Sequence, residues 1–364
     1  MNREQSFKLL HLPILTIQEC IRSSTVFQFL DFSLLSKRTK FIASTIHRDK
    51  IQINFSIGPH PRLYLTLPNH PRKEWLIDFI EDLTPFKKFV PRKINGTTVL
   101  STIRTNTEKS ENGEKMKFHR LILPLENLHE NMKWMTEHLL VVFRSPLRLM
   151  EIKDFEEPLI HFFEWFHTFQ KTIDFIEING EEISSKSLLY ILNNFQVKKE
   201  LTLYVGLSDN SFEYTKSVDT PSMNVGFPQW GLSNILCSEN SVVTSMNSCL
   251  TPENINCLIK HWIGGWNKNL CYLELIRIVE DEEVEDEIFE IIKKDIEWRE
   301  HFEDSGRPTE RTLLNGGIHL MYDGEHAEIE RNDGRIAAFA QFYEQVDGKV
   351  LHHFRFQAWD KVEK

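Results

Sequence analysis

Two short stretches near the N terminus carry apolar residues at helical spacing. The first stripe consists of Ile14, Ile17 and Ile21, and the second of Phe27, Leu30 and Leu34. Pro13 precedes the first stripe, where a missing backbone N–H costs nothing, and a basic run at 37–40 follows the second. A segment this short buries too little surface to be stable alone, so it must pack on the rest of the chain, on a partner, or on both.

The pattern changes to alternation after Arg48. Apolar residues alternate with polar ones over 51–57 and again over 63–67, which predicts a β-hairpin across the intervening GPHP break. The stretch EWLIDFIEDL at 74–83 is predicted as a short helix. Further strands are predicted at 97–105 and 116–123, with a turn at Asn112-Gly113.

A repeated order of helix, short connection and strand begins near residue 126. The helices are predicted at 126–143, 157–170, 184–195 and 251–263, and the strands at 147–152, 173–178, 201–205 and 270–276. Such units cannot bury their apolar faces singly and must stack, although the asparagine ladder of leucine-rich repeats is absent. The acidic run 280–303 is predicted as an amphipathic helix with a solvated face.

Aspartate-glycine pairs separate the last apolar stretches. They lie at Asp323-Gly324, Asp333-Gly334 and Asp347-Gly348, which predicts a β-meander. Together the patterns predict an α/β (α+β) chain: a small helical module, then a degenerate leucine-rich-repeat-like stack, then the meander. The predicted segments are the module at 1–48, a β-rich connecting region at 49–125, the stacked α/β domain at 126–310 and the meander at 311–364.

Charge and cysteine usage narrow the functional classes. The formal net charge of −10 argues against a general nucleic-acid-binding protein, which needs a concentrated basic face. Residues 1–48 hold seven Lys or Arg against three acids, which suits an acidic protein partner and equally suits a solvated helix end. Five cysteines without a CxxC pair, no secretory leader and no apolar run of about eighteen residues predict an intracellular protein, cytoplasmic or nuclear, without a membrane partner.

No catalytic, cofactor-binding or metal-binding constellation stands out. The histidines lack the partner spacing that zinc requires, and His352-His353 point to opposite faces if they lie on a strand. Gly264-Gly265 is explained by a helix end and not by a phosphate loop. Trp262 belongs to an apolar stripe and is expected in the core, whereas Trp266 lies beyond the helix and is the better candidate for an exposed contact.

The N-terminal pattern resembles an F-box, in the form found in large nematode families of F-box proteins. The matching positions are Leu9, Leu10, Leu12, Pro13, Ile17, Ile21, Phe29, Leu30, Ser33, Leu34, Ser36, Lys37 and Arg38. The chain departs from the general pattern at Ile14-Leu15, where many F-boxes carry an acidic residue, and at Thr39, near a common tryptophan. The resemblance implies docking onto a Skp-family adaptor, and through it onto a cullin scaffold. The residues expected at this contact are Leu12, Pro13, Ile17, Ile21, Leu30, Leu34, Lys37 and Arg38.

Residues 242–275 resemble the type-2 F-box-associated domain of the same proteins. The marks are Leu250-Thr251, Asn256, Lys260, Trp262, Gly264-Gly265, Asn269-Leu270 and Leu273-Glu274-Leu275. The resemblance implies a non-catalytic substrate receptor of an SCF-type ubiquitin ligase, with Trp266 as a candidate for substrate contact. The alternative is a protein-interaction or structural protein without a ligase, whose F-box-like segment packs internally. A third interpretation, an uncharacterised hydrolase, has no supporting constellation.

Overall fold

The fold is known from a computed structural model. It describes residues 9–46, 51–70, 72–86, 88–94, 96–109, 115–153, 160–209, 212–279, 285–300, 310–312, 318–320 and 326–360. The chain divides into two compact units, Met1–Phe155 and Glu156–Lys364. Helices come first, strands and helices follow, and strands end the chain, so the predicted α/β fold class is confirmed. The four predicted segment boundaries stay predictions.

The first unit opens with short helices. They are a 3-10 turn at Leu9–His11, α1 at Ile14–Arg22, α2 at Val26–Leu34 and α3 at Lys37–Thr45. The side chain of Thr25 accepts from the backbone N–H of Gln28 at the start of α2, and Ser36 does the same for Thr39 at the start of α3. These capping boxes fix where each helix begins. A longer helix, α4 at Leu128–Phe143, belongs to the same unit.

Seven strands complete the first unit. They are β1 at Gln52–Ile57, β2 at Arg62–Thr66, β3 at Lys73–Ile80, β4 at Val90–Ile94, β5 at Thr97–Lys109, β6 at Lys115–Pro124 and β7 at Leu147–Lys153. Their order in the sheet is β7-β1-β2-β3-β6-β5-β4. The β1–β2 hairpin and the strands at β5 and β6 are confirmed. The turn predicted at Asn112-Gly113 lies outside the described residues.

The helix predicted at 74–83 is wrong. Residues Lys73–Ile80 form β3, which pairs with β2 on one side and with β6 on the other. Both faces of the strand are covered in its middle, so its apolar residues need not alternate with polar ones. A short, doubly covered apolar run cannot be distinguished from a helix by periodicity alone.

The second unit repeats strand and helix. Its strands begin with β8 at Thr172–Ile183, β9 at Gln196–Leu207, β10 at Ser222–Val225, β11 at Val242–Met246 and β12 at Tyr272–Val279. Its helices are α5 at Ile160–His167, α6 at Ser185–Asn194, α7 at Leu232–Leu236, α8 at Pro252–Ile263 and α9 at Glu285–Lys293. The strands β8 to β12 are parallel neighbours in chain order. The predicted helices and strands of this stretch are confirmed, although α5 ends at His167 and not at residue 170 as predicted.

The C-terminal strands close the second unit. They are β15 at Ala327–Glu330, β16 at Arg335–Val346 and β17 at Lys349–Asp360, and β17 pairs antiparallel with β12. The meander is confirmed for these strands, and Gly334 and Gly348 take the positive φ that their turns require. A separate pair, β13 at Glu310–Thr312 and β14 at Ile318–Leu320, lies outside the meander.

Two other predictions for the C-terminal part concern segments that the structure describes only in part. The turn at Asp323-Gly324 lies outside the described residues. Of the acidic run, the structure shows α9 ending at Lys293, with Asp295 at a φ of 58° just beyond it. A left-handed residue ends a helix, so the predicted helix does not continue toward residue 303.

Candidate functional site

Most residues of the two apolar stripes face the interior of the first unit, although Ile14 does not. Ile17, Ile21 and Leu30 are all less than a tenth exposed. Ile17 and Ile21 belong to one cluster with Val142 of α4, and Phe143 packs against it. These three predicted adaptor contacts therefore stabilise the module itself, and they are not available at its surface.

A buried hydrogen bond ties α2 to α4. The Ser33 hydroxyl donates to the carbonyl of Leu30 at 2.7 Å, and His138 Nε2 lies 2.8 Å from the same hydroxyl oxygen. Since the hydroxyl proton is already used, the imidazole donates, and its proton is on Nε2. Burial, with a smaller contribution from the charge of Lys40, lowers the pKa of His138 to about 4. The imidazole is therefore neutral at pH 7.

An ion pair ties α2 to β4. The Arg92 guanidinium donates from Nε to Asp31 Oδ1 at 2.7 Å and from Nη2 to Oδ2 at 3.0 Å. The same guanidinium donates to the hydroxyl of Ser101 on β5. Such a two-pronged contact fixes orientation as well as distance. The module is thus held on two sides by polar contacts as well as by its apolar core.

The module exposes several apolar side chains as well as basic ones. Pro13, Lys37 and Arg38 are exposed, while Leu12 and Leu34 are half-buried. Among the described residues twelve large apolar side chains are exposed, and four belong to this module. They are Ile14 at 48%, Leu15 at 71%, Leu35 at 72% and Phe41 at 63% exposed. We call these four residues the module surface.

A row of polar residues crosses the sheet of the second unit. It contains one residue from each of six neighbouring strands: Glu177, Thr202, Asn224, Thr244, Glu274 and Arg355. We call this set the polar row. Side chains alternate between the two faces of a strand, so the apolar neighbours of these residues point the opposite way. On that opposite face the ring of Trp262 in α8 packs on Phe356 of β17, with centroids 5.2 Å apart.

Glu274 is the most buried charge of the polar row. Its carboxylate accepts from Arg355 Nε at 2.7 Å and from the Tyr272 hydroxyl at 2.8 Å, and His353 Nδ1 lies 3.2 Å away. Burial alone would raise the pKa of Glu274. The hydrogen bonds from His353 and Arg355 and the charge of Arg355 outweigh it and hold this pKa at about 2. The carboxylate is therefore ionised and neutralised locally.

The other end of the polar row is acidic and partly exposed. Burial raises the pKa of Glu200, next to the row on β9, and the charge of Glu177 raises it further. Tyr204 on the same strand is 38% exposed. Burial and the nearby carboxylates of Glu200 and Glu177 raise the pKa of its phenol. This end of the face therefore combines an aromatic ring with two carboxylates.

Trp266 is less available than its position after the helix predicts. The residue is half-buried, and its indole N–H donates to the carbonyl of Leu236 at 2.8 Å. Its role in substrate contact stays a prediction. Trp262, by contrast, is fully buried as predicted.

Other residues that carry the resemblance at 242–275 help to hold the fold together. Asn256 donates to the carbonyls of Ile292 and Lys294 near the end of α9. Gly265 has a φ of +97° immediately after α8, where a side chain would be strained. The resemblance at 242–275 therefore rests more on residues that hold the fold together than on residues of an exposed surface.

The structure places His352 and His353 on opposite faces of β17, as predicted. His352 Nδ1 accepts from Arg277 Nε at 2.9 Å, and burial and the Arg277 charge lower its pKa to about 4. Within the described residues no three His, Cys, Asp or Glu side chains cluster closely enough to hold a metal ion. None of the five cysteines, which all lie in described ranges, forms a disulfide. No helix in the described ranges has the length and hydropathy needed to cross a bilayer.

Sequence reasoning missed the module surface and the polar row. The signal for the row was present, because in five of the six strands its residue stands between two apolar ones, as Glu274 does between Leu273 and Leu275. Its meaning depends on the lateral register of six strands, which the sequence does not show. The signal for the module surface was the pair Ile14-Leu15, which stands where an acidic residue is common.

Comparison with known proteins finds one family. Residues 216–275 match the F-box associated family, which extends the second resemblance toward β10 and α7. The matched segment includes β10, β11, the first half of β12 and the helices between them, together with three residues of the polar row. No curated protein and no solved structure matches the chain.

Proposed function

We propose that this chain is the substrate-recognition subunit of an SCF-type E3 ubiquitin ligase. Its N-terminal helices dock a Skp-family adaptor, and through it a cullin scaffold. Its second unit holds a protein substrate. The chain performs no bond chemistry. It raises the effective concentration of substrate lysines near the ubiquitin-charged enzyme.

The observation that carries the docking proposal is the module surface. Four large apolar side chains stay exposed in a module that is otherwise firmly packed: Ile14 and Leu15 on α1, Leu35 just after α2, and Phe41 on α3. Large apolar residues left exposed on a small module are typical of an interaction site. Basic side chains, Lys37 and Arg38, lie beside them and form a polar rim. Because Ile17, Ile21 and Leu30 are buried, we propose that Ile14, Leu15, Leu35 and Phe41 contact the adaptor in their place.

The match to the F-box associated family supports a substrate-binding role for the second unit. The polar row is the proposed substrate surface, because it offers hydrogen-bonding groups on the face opposite to the packed helices. Residues of both charge signs and the exposed ring of Tyr204 provide distinct contacts along it.

The alternative of an internally packed segment has support of its own. Ile17, Ile21 and Leu30 of the apolar stripes are buried, and the Ser33–His138 and Asp31–Arg92 contacts hold the module in place. Internal packing and adaptor docking use different faces of the same helices, so burial of one face leaves the other free. Only a binding measurement separates the two functions.

The test uses the full chain and a purified Skp-family adaptor in isothermal titration calorimetry. We expect the variant Leu15→Asp with Phe41→Asp to weaken binding at least about tenfold, because it places charges in an apolar contact. The matched control is Phe169→Asp with Ile278→Asp, which changes exposed apolar residues of the second unit and is expected to bind normally. If the unmodified chain does not bind the adaptor, the ligase proposal fails and the internally packed alternative gains.

A further inference from the structure

One face of the β3–β6–β5 ribbon in the first unit carries lysines opposite lysines. Lys73 of β3 lies directly opposite Lys117 of β6, and Lys115 of β6 lies directly opposite Lys109 of β5. We call these four residues the lysine face. Like charges that face each other across two strands are destabilising. Two such pairs side by side are therefore a cost that the fold itself does not explain.

Nothing in the described residues relieves this charge. All four lysines are exposed, and none of their ammonium groups forms an ion pair or a hydrogen bond with the described part of the chain. His119 lies on the same face, stacked on Trp75 with centroids 5.6 Å apart. Burial lowers the pKa of His119, and the charges of Lys117 and Lys73 lower it further. The ribbon therefore presents one sign of charge on this face.

The opposite face of the same strands is balanced. Asp78 lies between two arginines, with Arg120 Nε at 2.8 Å and Arg62 Nε at 3.7 Å. Glu74 and Glu108 lie on this face as well. A surface that only needs to stay in solution mixes both signs in this way. The lysine face departs from that pattern, as expected of a surface that meets an acidic partner.

An open strand edge adjoins the lysine face. β4 pairs with β5 only as far as Ser101, and β5 continues to Lys109. In the residues that the structure covers, the outer edge from Thr102 to Lys109 has no strand partner. Such an edge offers backbone donors and acceptors to an extended polypeptide. Trp75 is only 8% exposed, so the face lacks the aromatic platform on which bases of single-stranded nucleic acid stack.

We propose that the lysine face binds an extended acidic polypeptide segment, which adds as a strand to the outer edge of β5. Alternate side chains of an added strand point to the lysine face, where a carboxylate lies directly beside Lys109. Lys115 and Lys117 stand on the next strand, opposite Lys109 and Thr107, and their long side chains extend toward the carboxylates of the added segment. Ile103 is 42% exposed on the same face of β5 and fits an apolar residue at one end of the segment. The proposal is independent of adaptor docking.

The probe is a fluorescent octapeptide with alternating glutamate and threonine and a terminal valine, titrated with the full chain by fluorescence anisotropy. We expect the variant Lys109→Gln, Lys115→Gln, Lys117→Gln to bind it about tenfold more weakly, and salt to weaken binding to the unmodified chain. The matched control is Lys171→Gln, Lys186→Gln, Lys198→Gln, which removes three exposed lysines of the second unit and is expected to bind normally.

Stability separates a binding role from a structural one. Because the substitutions remove opposed like charges, the lysine-face variant should melt at or above the temperature of the unmodified chain. The proposal is overturned if the octapeptide does not bind, or if both triple variants lose binding equally. It is also overturned if an octapeptide N-methylated at alternate residues binds as well as the parent, or if a thymidine oligonucleotide binds more tightly.

Discussion

Buried polar groups have different structural roles in the N-terminal module and in the polar row. In the module, His138 with Ser33 and Arg92 with Asp31 join elements that are far apart in the chain. In the polar row, Glu274 and its partners lie on neighbouring strands of one sheet. The first arrangement fixes one element against another. The second arrangement places charged side chains on one face of the sheet.

The two regions also differ in where their apolar and charged residues lie. The module has an apolar core on its inner side, so its position is fixed while the module surface stays outside. The sheet has its helices on the side of Trp262, and charges on the other side make that face unfavourable for an apolar cover. The module thus has apolar residues on its inner side, whereas the sheet carries charged residues on the face away from Trp262.

The largest effect is expected from removing the cation of the polar row. Arg355→Met leaves the buried carboxylate of Glu274 without its main partner, which should lower the free energy of unfolding by about 3–4 kcal/mol. Denaturation in urea, followed by circular dichroism, measures the loss. The double variant Arg355→Met, Glu274→Gln should recover most of it, because the charge itself is gone. A loss below about 1 kcal/mol in the single variant would show that the pair is solvated.

The module should respond to pH through His138. Its folded-state pKa of about 4 lies below the usual value of 6.5, so the unfolded chain binds more protons between these limits. The corresponding stability is fully present above pH 6.5 and is lost as pH falls toward 4, by about 3 kcal/mol. Unfolding free energies at pH 7 and pH 4.5 provide the measurement.

The control for this pH effect is His138→Gln, whose amide can still donate to Ser33. His352 titrates in the same range, so the unmodified chain shows both contributions and the variant shows the remainder. Glu274 contributes only below about pH 4.5, because its depressed pKa means stability is lost as pH falls toward 2. An equal decrease from pH 7 to 4.5 in both proteins would contradict the role of His138.

The sequence predicted elements well where apolar spacing is regular and turns are marked. Thr251 and Pro252 mark the start of α8, and Asp347-Gly348 marks the turn of the last hairpin. The helix prediction at 74–83 was wrong, because a strand covered on both faces lacks the alternation of apolar and polar residues that would distinguish it from a helix. The module was predicted as a unit, but its inward and outward faces were not separated, since that depends on α4, about a hundred residues later. The lysine face needs the register of three strands before its opposed charges become visible.

The smallest of these effects is expected at the tie between the module and β4. Asp31→Asn removes the charge that Arg92 contacts, but Asp31 is about two-fifths exposed and Arg92 keeps its bond to Ser101. We expect a loss of about 1 kcal/mol in the free energy of unfolding, discounted for this exposure. The matched control is Glu19→Gln, which breaks the exposed Glu19–Arg22 pair and should change stability little. Equal effects of the two variants would mean that the Arg92 contact orients the module no more than an ordinary surface pair does.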